Sequence, residues 1–105
     1  MAKIGVDIAE ARSSLVSGDL VAIPTETVYG LAANALNEEA VAKIFKAKNR
    51  PSFDPLIVHT NSIEKVERFV EAIPEKARLL VSEFWPGPVT ILLKKKAIVP
   101  DLVTS

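Results

Sequence analysis

The sequence predicts an α/β or α+β domain built on a mixed sheet. Three observations carry that expectation. Apolar residues recur at helical spacing in several stretches, short continuous apolar runs separate them, and the two kinds of segment alternate irregularly. Apolar residues make up 49% of the chain, enough for a packed core. With 105 residues, one small domain spanning residues 1–105 is expected.

In chain order, Ile8, Ala11, Leu15 and Val16 fall on one helical stripe, and Gly18 is a natural stop. Leu20–Ile23 is a continuous apolar run that predicts a buried strand ending at Pro24. The next segment, Thr25–Tyr29, sets two hydroxyls, a carboxylate and a phenol close together. It has two readings: a half-buried second strand with Thr25, Thr27 and Tyr29 on one face, or the hydroxyl-lined wall of a polar cleft. Asn37 before Glu38 and Glu39 predicts a capped helix whose buried stripe is Ala40, Val41, Ile44 and Phe45. That helix must stop before Pro51, because a residue preceding proline is pushed out of the α region. Lys48 and Arg50 then project from a loop.

Pro55 opens Leu56–Val58, an apolar β-prone run read as a buried strand, with His59 at its carboxyl end. In open α/β sheets ligands sit outside that end of the strands. Asn61 and Glu64 suggest a capping box, with Ile63, Val66, Phe69 and Val70 as the buried face of a third helix. Pro74 predicts a fourth helix, with Ala77, Leu80, Val81 and Phe84 inward. Trp85–Pro88 breaks the chain, Val89–Leu93 reads as a strand, and Ala97–Val99 as a further short one. The end, from Pro100, offers no clear closing element.

Charge and motifs narrow the function. Thirteen basic and thirteen acidic residues cancel, which argues against nucleic-acid binding driven by overall charge. There is no cysteine, so disulfides and thiolate metal sites are excluded. The N-terminal stretch lacks the apolar core of a signal peptide, no run is long enough to span a membrane, and a cytoplasmic location is the expectation. A Walker-type GxxxxGK[ST] loop, a GxGxxG fingerprint and a GxSxG elbow are all missing. What remains is Lys48, Arg50 and His59 beside a hydroxyl-rich segment. Guanidinium, ammonium and imidazole together suit a phosphate or carboxylate, and phosphoryl or nucleotidyl transfer rests on such positioning and charge.

PTETVYGL at Pro24–Leu31, KNRP at Lys48–Pro51, PLIVH at Pro55–His59 and PGPVT at Pro86–Thr90 follow one another in that order. With this ordered set the chain resembles the YrdC-like family of L-threonylcarbamoyladenylate (threonylcarbamoyl-AMP) synthases. The resemblance implies a twisted open mixed sheet with flanking helices, incomplete at its C-terminal side. Family domains continue into a V-R-x-P-x-H segment and a Ser-x-Asn motif that this chain does not reach. It implies a nucleotidyltransferase that joins L-threonine, bicarbonate and ATP into threonylcarbamoyl-AMP and diphosphate, for modification of tRNA. Carried over by position, Thr27 and His59 are expected to contact threonine. Lys48 and Arg50 are expected on the ATP phosphates, with Asp54 beside the nucleotide. An acid at Asp54 would repel phosphate unless a metal or backbone group mediates. Ala32 stands where the family often has glycine. Mg²⁺ is expected with the ATP.

Two rival readings stand beside the enzyme. One is a tRNA- or double-stranded-RNA-binding module using Lys43, Lys46, Lys48, Arg50 and Lys94–Lys96, which zero net charge disfavours. The other is a carbamoyl-transfer domain like that of hydrogenase maturation factors, disfavoured because no zinc-finger segment is present. Uncovered sheet edges are expected to drive self-association into a homo-oligomer.

Overall fold

The core is assembled on α2, Glu38–Lys48, as its sequence dictates. The Asn37 side chain accepts from the Ala40 N–H at 3.2 Å, and Glu38 and Glu39 occupy the first turn, where the helix dipole favours acids. The stripe Ala40, Val41, Ile44 and Phe45 is buried, as its spacing predicts. Asn49 ends the helix in the left-handed conformation (φ 51°), and the Arg50 N–H reaches back to the Phe45 carbonyl at 2.9 Å. Arg50 therefore does leave the helix line ahead of Pro51. A computed structural model describes residues 3–51 and 54–104. Ser52 and Phe53, inside the Lys48–His59 stretch, lie outside those residues.

Upstream, Asp7 caps α1 (Ile8–Val16) by accepting from the Ala9 and Glu10 N–H groups. Gly18, at φ +89°, ends it: the Asp19 N–H returns to the Ser14 carbonyl at 2.9 Å. β1 (Val21–Pro24) and β2 (Tyr29–Ala32) form an antiparallel hairpin with Val21 opposite Ala32 and Pro24 opposite Tyr29. The Lys43 ammonium from α2 donates to the Gly18 carbonyl at 2.9 Å and so fastens α2 to the α1–β1 corner.

Downstream come α3 (Ile63–Val66), α4 (Glu75–Phe84) and α5 (Asp101–Thr104). Val99 and Val103 close over Val41 and Phe45, with Leu56, Phe69 and Leu102 packed around them. α5 is a closing element that the sequence did not announce. It holds four residues and offers a single fully buried side chain, too little for a periodic signal. No helix among the described residues is long and apolar enough to cross a membrane.

The class is as expected, a mix of helices and sheet, but the sheet is smaller. Among the described residues it has two antiparallel strands, β1 and β2. Leu20–Ile23 is half-buried and alternating rather than fully buried, because β1 shows one face to solvent. Leu56–Val58 and Val89–Leu93 form no ladder, and Ala97–Val99 is a turn. The reason is common to all three: apolar β-prone residues make a strand only where a partner pairs with their backbone. Leu56 spends its N–H on the Val103 carbonyl at 2.8 Å, and Ile57 and Val58 stay exposed. The α3 cap is Ser62, whose hydroxyl accepts from the Lys65 N–H, one residue beyond the expected Asn61. On α4 only Ala77 and Val81 are buried, while Leu80 and Phe84 face outward. Ile8 and Val16 of α1 are likewise exposed. The radius of gyration is 14.5 Å, against roughly 13 Å for a well-filled domain of this length.

Two outcomes follow from this packing. Val103→Ala, at a side chain 2% exposed, should lower the unfolding free energy by roughly 2–3 kcal/mol in urea, while Val16→Ala should stay within about 0.5. The second concerns acid. Hydrogen bonding to Lys95, with its charge, holds the Asp101 carboxyl below its ordinary value of 3.8. A depressed carboxylate stabilises the fold fully above that ordinary value, and the contribution disappears as pH falls through the lower folded value. The difference in Tm between the chain and Asp101→Asn should therefore be present at pH 7, small because Asp101 is solvent-exposed, and absent in strong acid.

Candidate functional site

A cleft of about 940 Å³ opens between the strip Pro55–Ile63 and the segment Trp85–Leu93. Its lining is mostly aliphatic and aromatic: Leu56, Val66, Phe69, Val81, Trp85 and Ile91 are among it. The polar residues on it are Glu26, His59, Thr60, Asn61, Ser62, Glu64, Thr90, Lys95 and Thr104. A mainly apolar hollow of this size with polar groups at its wall is the usual make-up of a small-molecule site.

Glu26, His59 and Lys95 are each placed by a local cause. Glu26 comes from the turn that joins β1 to β2. Thr25 builds that turn: its hydroxyl donates to the Val28 carbonyl and accepts from the Thr27 and Val28 N–H groups. Of the segment read as extended, Thr25–Val28 is thus a tight loop and Tyr29 opens β2. His59 is carried by the Pro55–His59 strip, which hangs from α5 through the Leu56 N–H. Trp85 fixes the other side by donating its indole N–H to the Val89 carbonyl at 2.9 Å. The Trp85–Pro86 peptide is cis. Lys95 is mostly sheltered, and its ammonium lies 2.7 Å from Asp101 on α5. His59 also borders a second, more open hollow of about 400 Å³ with Thr60, Asn61, Lys65 and Phe69.

Of the five residues assigned from the sequence, His59 lies on the cleft, whereas Thr27, Lys48, Arg50 and Asp54 do not line it. Thr27 is exposed on the hairpin turn. Lys48 is exposed at the end of α2, and Asp54 is half-buried in the loop after it. Arg50 donates from Nη2 to the Pro55 carbonyl at 3.0 Å, which staples the start of the His59 strip. Its Nε is buried with no hydrogen-bond partner among the described residues. A single hollow shared by all five groups is therefore not what the structure presents. The sequence assigns no role to Glu26 or Thr90, and Lys95 enters it only through the rival RNA-binding patch Lys94–Lys96. Their signal was present: Glu26 and Thr90 lie inside the PTETVYGL and PGPVT segments.

The basic groups are mostly engaged. Lys43 is bound to Gly18 and lies 3.9 Å from Asp19, Lys94 pairs with Glu71, Lys95 with Asp101, and Lys96 donates to the Glu67 carbonyl. A continuous cationic face for RNA is not what this pairing leaves. Nor do three or more His, Asp or Glu side chains gather into a metal-holding group among the described residues. The donor set of the described residues forms no cage for a resident cation.

The comparisons with known proteins agree on one family. The Sua5–YciO–YrdC model, described as telomere recombination, matches residues 13–105. A protein from Pyrococcus abyssi (strain GE5 / Orsay) named threonylcarbamoyl-AMP synthase is 55% identical over 95 residues, covering 90% of this chain and 28% of that protein. One of the same name from Bacillus subtilis (strain 168) is 52% identical over 97 residues, 92% of this chain and 27% of its own length. The crystal structure of P. abyssi Sua5 complexed with L-threonine superposes with a TM-score of 0.87 at 52% identity, over 90% of this chain and 28% of that one. The chain thus spans less than a third of the length of these relatives.

One substitution tests the cleft geometry. A Cβ on Gly87 would collide with the Phe84 backbone carbonyl. Gly87→Ala should cost roughly 1–3 kcal/mol in urea unfolding and shift the emission of Trp85, the single tryptophan. Unchanged emission and stability would mean that the Trp85–Val89 side of the cleft is not held as described.

Proposed function

The chain belongs to the Sua5–YciO–YrdC family, and from that premise we propose that it supplies the N-terminal portion of a threonylcarbamoyl-AMP synthase. In this reading residues 1–105 are one part of a longer family domain. The supporting observation is the likeness, at 52% identity over 90% of the chain, to a protein solved with L-threonine. The placement of His59 on a cleft with an apolar interior is consistent with it.

The reaction proposed is a nucleotidyl transfer. The amine of L-threonine takes up bicarbonate with loss of water, giving a carbamate. A carbamate oxygen then bonds to the α-phosphorus of ATP as the bond to diphosphate breaks. His59 would accept or donate a hydrogen bond at the threonine end, and the Thr27 hydroxyl would reach it from the hairpin turn. Arg50 and Lys48 would face the phosphates. Arg50 keeps an unpartnered Nε–H while Nη2 holds Pro55, so binding an anion would complete a set of donors already partly ordered. Asp54, an acid beside this pair, would oppose phosphate and favour a nucleotide that carries its own Mg²⁺. The ion enters as part of the substrate, since the described residues offer it no cage. The product would serve tRNA modification.

Titration calorimetry of this chain tests the reading. L-Threonine should bind, and His59→Ala should weaken it about two- to tenfold, the loss of roughly one charge-free hydrogen bond. ATP binding should fall about ten- to a hundredfold in Arg50→Ala. No heat with either ligand would remove the proposal for a chain of this length. A His59→Ala titration equal to the parent would remove that residue's role alone.

A further inference from the structure

Arg50 links two parts of the site through one guanidinium. Its backbone is fixed, because the Arg50 N–H donates to the Phe45 carbonyl at 2.9 Å and Phe45 is buried in the core. From that base Nη2 reaches the Pro55 carbonyl at 3.0 Å. The Nε–H is buried and has no partner among the described residues. Nη2 carries two N–H groups, and one of them lies on the same side of the guanidinium as the Nε–H. The head can therefore hold Pro55 with one Nη2 proton and take an anion side-on with the other and with Nε–H. A buried N–H without an acceptor is costly, so the spare donor favours that second contact.

Pro55 opens the strip that ends in His59, and the strip is loosely held. Among the described residues the N–H groups of Ile57, Val58 and His59 find no backbone carbonyl. Ile57 is 62% exposed and Val58 40%. The strip has two backbone anchors among those residues: Arg50 on the Pro55 carbonyl, and the Leu56 N–H on the Val103 carbonyl at 2.8 Å. A segment with few backbone bonds and exposed side chains belongs to the least stable part of a fold, so each anchor weighs heavily on where it sits. One of the two anchors is the group with the spare donor.

We propose that Arg50 is a positioning residue for His59 as well as an anion ligand. An anion on its Nε–H fixes the guanidinium, tightens its hold on Pro55 and settles the strip with His59 on the cleft. This rests on the proposed function, in which Arg50 faces the ATP phosphates and His59 the threonine. The two ligands are then coupled, and the coupling is reciprocal: each raises the affinity of the other by one factor. L-Threonine is held firmly only where a phosphate chain is in place to receive it. Lysine cannot substitute for this link, since an ammonium is a point charge without the planar fork.

Calorimetry with inorganic diphosphate as the anion probe reads the coupling. L-Threonine should bind the parent chain at least about fivefold more tightly with diphosphate saturating than without it, and diphosphate should gain the same factor from threonine. In Arg50→Lys the factor should fall below about twofold. Lys48→Ala, which removes a neighbouring charge and leaves the link, should weaken diphosphate and keep the fivefold factor. His59 is the single histidine, so its imidazole gives one assigned NMR resonance. Diphosphate alone should shift that resonance in the parent and leave it in place in Arg50→Lys. Two ligands that bind the parent independently overturn the inference and leave the proposed function standing. So does a factor lost in Lys48→Ala, or a coupling or a resonance shift that survives in Arg50→Lys, because the anion then acts by another route. A parent chain that binds neither ligand overturns the inference together with the reading beneath it.

Discussion

The structure depends on one contact, the closure of Val99 and Val103 over Val41 and Phe45 of α2. Val41 and Val103 are the largest fully buried side chains, each 2% exposed. Because α5 has only four residues, it holds its place through that side chain, the Lys95–Asp101 pair and the bond from Leu56. The Pro55–His59 strip is hung on the Val103 carbonyl, and Lys95 is steered toward α5 while lining the cleft. The wall of the cleft that carries His59 is therefore set by a hydrophobic contact with the far end of the chain.

Electrostatics in this chain serve position more than attraction. The ion pairs lie at the surface, where each contributes little to stability. Their effect is to occupy the cationic groups, so that Lys43, Lys94 and Lys95 are tied to neighbours. Among the described residues, Lys46, Lys48 and Arg50 have no carboxylate within ion-pair distance. Three cationic groups outside ion pairs thus cluster at the end of α2 and in the loop after it, while Arg12, Lys65, Arg68, Lys76 and Lys96, also outside ion pairs, are spread along the chain. The zero net charge of the sequence conceals this local excess.

What could be read from the sequence was local. The cap at Asn37, the stop at Gly18 and the start at Pro74 each act through one or two neighbouring backbone groups, and each lies where expected. The strands were less legible because a strand is a relation between two segments. Leu56–Val58 and Val89–Leu93 have β-prone residues, yet no neighbour pairs with them among the described residues. Thr25–Val28 is not extended for a different reason: the Thr25 hydroxyl captures nearby backbone groups and turns the chain into β2 at Tyr29. The site was legible in part. His59 at the end of an apolar run was visible, but the reach of Arg50 to the Pro55 carbonyl was not, since nothing in residue order tells a guanidinium that binds ligand from one that binds its own loop. Motif order carried the family because it samples four separated segments at once.

The distance along the chain between Val41 and Val103 has a consequence for synthesis. A ribosome releases α2 well before α5 is made, so the Ala40–Phe45 stripe emerges with nothing to cover it. Closing so large a loop adds only modestly to the entropy cost, but it delays the event. Until α5 has left the exit tunnel, the nascent chain displays the Ala40–Phe45 stripe to whatever chaperone is at hand.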